Sequence, residues 1–120
     1  MLYTPSTLPI DALQSIAPAF DDTYRQGAEH WIEQCRRDLA QFWRSDDGKY
    51  SAVTEVIDTP RGRVFHVVAS AGEFRRELVE EGESWAITRG CAKVLTEGRP
   101  GWQRVLRDYR LTNVTLEKEL

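Results

Sequence analysis

Along this chain the apolar residues first recur at helical spacing, then alternate as in strands, and then return to helical spacing. Ile10, Leu13, Ile16 and Ala17 make a short helical stripe that stops near Pro18. Asp21 or Asp22 then offers an N-cap for a longer helix, on which Ala28, Trp31, Ile32, Cys35, Leu39 and Phe42 share one face. Ser45-Asp46-Asp47-Gly48-Lys49 is a turn, because an Asp-Gly pair supplies the conformations a reversal needs. Phe42-Trp43-Arg44 can already be strand, forming a hairpin with Tyr50 onward. From Ser51 to Ile57 the residues alternate and are rich in β-branched side chains, which predicts a strand. Thr59-Pro60-Arg61-Gly62 turns it back. Val64-Phe65-His66-Val67-Val68-Ala69 is nearly continuous in apolar character, as expected for a strand covered on both faces.

A very short link, Ser70-Ala71-Gly72, leads into a helix that gathers Phe74, Leu78, Gly82, Trp85 and Ala86 on one face. Gly90 suits the C-cap of that helix. Val94-Leu95 centres a strand over 92–96, and Pro100 starts a helix at its first position. That helix carries Trp102, Val105, Leu106 and Tyr109 on one stripe, and a strand over 111–120 follows. The order predicts an α+β layer arrangement with a mixed central sheet and helices on its faces. Residues 1–9, with two prolines and several hydroxyl side chains, form an extended N-terminal arm, and 10–120 form a single domain.

Composition narrows this picture. A chain of 120 residues supports one core. Its 41% hydrophobic and 29% charged residues are ordinary for a globular domain. A net charge of −3 gives no electrostatic reason to expect nucleic acid. Arg99, Arg104, Arg107 and Arg110 cluster near the last helix, and read better as a solvated face than as a phosphate track. Cys35 and Cys91 make no close redox motif and are expected to be reduced. His30 and His66 stand apart without ligand spacing, so no metal site is expected. The chain shows no membrane-spanning stretch and no secretory leader, which implies a cytoplasmic setting.

The run Gly90-Cys91-Ala92-Lys93-Val94, followed by Gly98-Arg99-Pro100-Gly101-Trp102-Gln103-Arg104-Val105-Leu106 and the ending Leu116-Glu117-Lys118-Glu119-Leu120, resembles short GNAT-like (N-acetyltransferase-like) proteins of tailed bacteriophages. Ala52 to Arg61 is similar to that group's central hairpin. The resemblance covers Tyr50 to Leu120 and leaves the N-terminal part divergent, with the family's usual first strand missing or replaced.

The resemblance implies that acetyl-CoA, if bound, lies with its pyrophosphate against the loop from the central strand into the next helix. Successive N–H groups at a helix N-terminus suit such an anion. Ser70, Ala71, Gly72, Arg75 and Arg76 are the matching cofactor-binding candidates. The loop has one glycine and an acidic Glu73, however, and equally suits an ordinary turn. Glu55 falls where the family places a base, and Tyr109 where it places an acid; both also suit plain structural roles.

The degenerate loop, the N-terminal arm and four tryptophans favour a non-catalytic reading. On that reading the chain is a phage protein working through protein contacts or self-association, in the virion or the host cytoplasm, with no cofactor. Tyr3, Leu8, Trp43, Arg99 and Trp102 are its interface candidates. The alternative is an acetyl-CoA-dependent N-acetyltransferase acting on an amine of a protein or small molecule.

Overall fold

The computed structural model describes residues 1–21, 24–96, 105–109 and 118. Its strands are β1 (Leu2–Tyr3), β2 (Gln41–Arg44), β3 (Tyr50–Thr59), β4 (Gly62–Gly72) and β5 (Cys91–Thr96). Its helices are α1 (Ala12–Ile16), α2 (Ala28–Arg36) and α3 (Arg76–Thr88), with a 3-10 turn at Ala17–Ala19 after α1. The strands lie in the order β1-β2-β3-β4-β5. The first four are antiparallel neighbours, while β5 runs parallel to β4. A parallel pair needs a crossover, and α3 supplies it. The result is the mixed sheet with helices on its faces that the pattern predicts.

Phe42 and Trp43 are adjacent on β2 and therefore point to opposite faces. Each anchors one half of the core. Phe42 packs with Ile16, Ile32, Cys35, Val53 and Val68 on the face covered by α1 and α2. Trp43 packs with Tyr50, Ala52, Phe65, Leu78 and Ala86 on the face covered by α3. Full burial of Phe42, Ile16, Ile32 and Val53 stabilises the first half by about 1.5–3 kcal/mol per side chain. On the other face Trp43, Phe65 and Trp85 form a three-ring cluster with centroids 5.6 to 6.2 Å apart.

Three local predictions are corrected. The long helix ends at Arg36, short of Phe42. Asp38 takes a positive φ of 61°, and the N–H groups of Leu39 and Ala40 both bond to the Gln34 carbonyl, which turns the chain out of the helix. Leu39 is thereby left exposed, although it continues the apolar spacing. The helix begins at an extended Gly27 rather than at an aspartate cap. A first strand, which the resemblance leaves missing or replaced, is present and two residues long: Leu2 and Tyr3 pair with Trp43 and Phe42. Elsewhere Gly90 behaves as predicted, with φ 77° and its N–H on the Ile87 carbonyl just beyond α3. Of the predicted helix over 100–109 only 105–109 is described, and the strand predicted over 111–120 falls outside the described residues apart from Lys118.

Candidate functional site

Three features meet around the middle and far end of β4. The first is a β-bulge. Val53 pairs with Ala69 while Thr54 pairs with Val67, so Val68 is the extra residue. A bulge re-aims the strand it interrupts. Here it puts Val68 and Ala69 together on the α1/α2 face. The pairing with β5 runs from Arg63↔Cys91 to Val67↔Thr96 and stops as the bulge begins. Beyond it, the β5-facing edge of β4 has no strand partner among the described residues.

The second is the link into α3. Gly72 has φ 99°, and a Cβ there would run into the Lys49 carbonyl oxygen. That oxygen accepts the Glu73 N–H at 2.9 Å. Helix α3 starts at Arg76, and its N-terminus has no side-chain cap, which leaves N–H groups suited to an anion. The predicted cofactor residues part company here. Arg75 donates to Asp47 (Nε to Oδ2, 2.8 Å) and to Glu73 (Nη2 to Oε2, 2.9 Å), so two carboxylates hold it. Asp47 lies well below the usual carboxylate range because of the Ser45 hydroxyl, then the Lys49 N–H and Arg75. Arg76 instead donates to the Val105 carbonyl at 2.6 Å and lies over the Phe74 ring. Ser70 is turned inward, its hydroxyl bonded to the Tyr50 OH at 3.1 Å.

The third feature is a side-chain pair. Glu55 and His66 face each other directly across β3 and β4. His66 Nδ1 and Glu55 Oε2 are 2.8 Å apart, with 19% and 25% of the two side chains exposed. Thr54, Val56, Phe65 and Val67 alternate with them toward α3, so the pair lies on the opposite face. Sequence reasoning singled out Glu55 and set His66 aside as a lone strand histidine. Cross-strand register, which no spacing along the chain reveals, is what joins them.

Tyr109 is placed elsewhere. Its hydroxyl donates to Glu83 Oε2 of α3 at 2.9 Å. Burial, then the hydrogen bond and charge of Glu83, pushes it far above the ordinary tyrosine range. It borders a cavity of about 50 Å³ under α3, shared with Phe65, Val67, Gly82 and Val94. Glu55 and Tyr109 are therefore on opposite faces of the sheet, and the structure does not bring them together. Among the interface candidates, Trp43 is only 2% exposed and its indole is core. Its N–H donates to Thr54 Oγ1 at 2.8 Å, and that hydroxyl donates in turn to Gln41 at 2.9 Å. Tyr3 and Leu8 pack against the α1/α2 half of the core. Arg99 and Trp102 lie outside the described residues.

Among the described residues no group of His, Cys, Asp and Glu is placed to hold a metal ion. No described helix is long and apolar enough to cross a membrane. Arg107 and Lys118 are exposed near the chain's end.

No family model matches the chain, and no curated protein matches it by sequence. Comparison with solved structures gives the class: the chain has a GNAT-like acetyltransferase fold. It aligns with an aminoglycoside acetyltransferase from an uncultured soil metagenomic sample, solved in complex with sisomicin, at TM-score 0.70 and 9% identity. That alignment covers 100% of this chain and 94% of the other. A probable acetyltransferase aligns at TM-score 0.65 and 16% identity, over 99% and 97% of the two chains. Glucosamine-6-phosphate N-acetyltransferase from Arabidopsis thaliana aligns at 0.64 and 10%, over 99% and 97%. At such identities the likeness carries the fold, and it does not carry the bacteriophage grouping.

The non-catalytic, contact-making reading is corrected by these findings. The three solved proteins named above, which it matches along nearly their whole length, are two acetyltransferases and a probable one. The features behind that reading also have internal explanations. The N-terminal arm is held by the chain's own sheet, Trp43 is core, and the Glu73 charge is met by Arg75.

Proposed function

We propose that the chain is an acetyl-CoA-dependent N-acetyltransferase acting on an amine. The observation that carries this reading is the Glu55–His66 pair, set on the strand whose bulge ends the pairing with β5. Nucleophilic attack by an amine needs its nitrogen deprotonated, and a histidine held by a carboxylate is suited to that task. His66 Nδ1 and Glu55 Oε2 share that hydrogen bond, so the carboxylate faces one of the two ring nitrogens. Glu55 thereby fixes the orientation of the ring.

The residues of the β4–α3 link fit the other substrate. An uncapped helix start supplies N–H groups. Arg76 is the guanidinium for the phosphates. Its partner is a neutral carbonyl, whereas Arg75 is held by two carboxylates. Acetyl-CoA supplies an acetyl thioester. In the transfer the amine nitrogen forms the new bond to the acyl carbon and the carbon–sulfur bond breaks. The nitrogen's proton goes to His66, and the thiolate leaves as CoA. Tyr109, whose proton is directed at Glu83, stands apart from this exchange.

Isothermal titration with acetyl-CoA tests the reading, followed by thiol release with an amine acceptor. Micromolar binding is expected. Arg76→Ala should weaken it roughly tenfold to a hundredfold, the worth of a hydrogen bond to a charged group. Arg75→Ala should leave affinity nearly unchanged. His66→Ala should cut turnover by about 10²–10⁴ without loss of binding. Absence of binding at millimolar acetyl-CoA would overturn the proposal.

A further inference from the structure

The cavity under α3 lies where β4 and β5 part. Val67 and Thr96 are the last residue pair between these strands, and both line it. Next to Val67 on β4 stands His66, one Cα step of about 3.8 Å away, with its ring on the opposite face. A carbon centre placed at this end of the pairing has the imidazole on one side and the cavity on the other. The cavity has a volume of about 50 Å³. At about 10–15 Å³ for each water-sized occupant, that is room for roughly three or four non-hydrogen atoms.

The walls decide what fills it. Phe65, Leu78, Val94 and Leu106 present only carbon. The polar groups beside them are already engaged. The Trp43 N–H donates to Thr54, whose hydroxyl donates to Gln41; the Tyr50 OH donates to Ser70, and the Tyr109 OH to Glu83. Water needs two to four polar partners and finds few here, whereas a hydrocarbon displaces nothing that these walls require. We propose that this cavity is an acyl pocket, and that the best-fitting donor is butyryl-CoA rather than acetyl-CoA. A butyryl group carries three carbons beyond its carbonyl, which match the volume, while an acetyl group carries one and leaves most of it empty. Glu83 and Tyr109 form the polar border, where a longer chain meets a carboxylate. This rests on the transferase reading and names the donor class of that same site. The bonds made and broken are unchanged: nitrogen to acyl carbon forms, carbon–sulfur breaks, and the nitrogen's proton goes to His66.

The test is calorimetric titration with CoA, acetyl-CoA, propionyl-CoA, butyryl-CoA and hexanoyl-CoA, with no amine present. Each methylene up to butyryl should tighten binding about twofold to fourfold, as burial of a methylene implies. Hexanoyl-CoA should bind no more tightly than butyryl-CoA. Gly82→Ala places a methyl 3.5 Å from Phe65 Cε2 on the cavity wall. It should reduce the butyryl-to-acetyl affinity ratio to about twofold or less. Leu106→Ala widens the cavity and should move the optimum to hexanoyl-CoA. Neither variant should change the affinity for CoA itself, which has no acyl chain to place. Thiol release with an amine acceptor should follow the same order in kcat/KM. Equal affinities from acetyl to butyryl, a rise that continues through hexanoyl, or an order unaltered in both variants would overturn the inference. The transferase reading would stand in those cases, because the CoA moiety still binds. Failure of CoA and of every acyl-CoA to bind would end both.

Discussion

Two glycines on the α3 side of the sheet should answer the same substitution in opposite directions. Gly82 lies inside α3, and a Cβ there would sit 3.5 Å from Phe65 Cε2 and 3.7 Å from Cζ, ordinary contact distances. Alanine gains about 0.8–1.0 kcal/mol over glycine in a helix interior. The methyl would also cover part of the apolar lining of the cavity of about 50 Å³ beneath the helix. Together Gly82→Ala should stabilise the fold by about 1–1.5 kcal/mol. Gly72→Ala meets the reverse situation. Its φ of 99° is strained for any other residue, and its Cβ would be driven into the Lys49 carbonyl. The strands must then part, losing the Glu73 N–H bond of 2.9 Å to that oxygen. Strain of about 1–3 kcal/mol and a lost bond of about 1 kcal/mol give a destabilisation of roughly 2–4 kcal/mol. Urea unfolding followed by tryptophan fluorescence measures both. The midpoint should move up for Gly82→Ala and down for Gly72→Ala, with unchanged slopes. A destabilised Gly82→Ala would mean that α3 packs on Phe65 more tightly than described. A neutral Gly72→Ala would refute the account of the β4–α3 link.

Other outcomes follow from individual contacts. Thr54→Val leaves the buried Trp43 indole N–H without its 2.8 Å partner and should cost about 1–3 kcal/mol in the same unfolding assay. Burial pushes the Cys35 thiol up to about 12 from its ordinary 9.0. Below pH 9 both states hold this proton; above it the unfolded chain releases it first. Stability should therefore fall with rising pH by about 1.4 kcal/mol per unit for this one group. Cys35→Ala should flatten that decline in an alkaline denaturation series, leaving the part owed to Tyr50 and Tyr109, which are also raised. With a thiol reagent at neutral pH, half-buried Cys91 should label before buried Cys35, which should react on unfolding. Asp47 is shifted the other way, so its contribution is present above about pH 4 and lost as pH falls below. Asp47→Asn should make the acid limb of the stability profile shallower.

The strands β3 and β4, the turn between them, helix α3 and its glycine stop were legible along the chain, because each depends on neighbours a few residues away. Alternation fixed the faces of β3, and a continuous apolar run marked β4 as the covered strand. The α+β class follows from that order of elements. The end of α2 was not legible. Leu39 and Phe42 keep helical spacing, and only the carbonyl of Gln34, bonded to Leu39 and Ala40, shows that the helix has already turned away.

The candidate site divides along the same line. Glu55 and the β4–α3 link could be picked out as chemistry-bearing segments, since residue type and local order suffice for that. Joining Glu55 to His66 required the β3–β4 register, in which residues eleven positions apart come within 2.8 Å. The bulge at Val68 shifts that register by one residue and sends Val68 and Ala69 to the same face, where alternation places them on opposite ones. Which arginine is held by carboxylates depends on Asp47, which the fold brings up from a distant turn. Separation of Tyr109 from Glu55 is likewise set by the sheet that stands between them. Local stereochemistry writes the elements into the sequence, while pairing across strands and packing across faces decide which side chains act on one another.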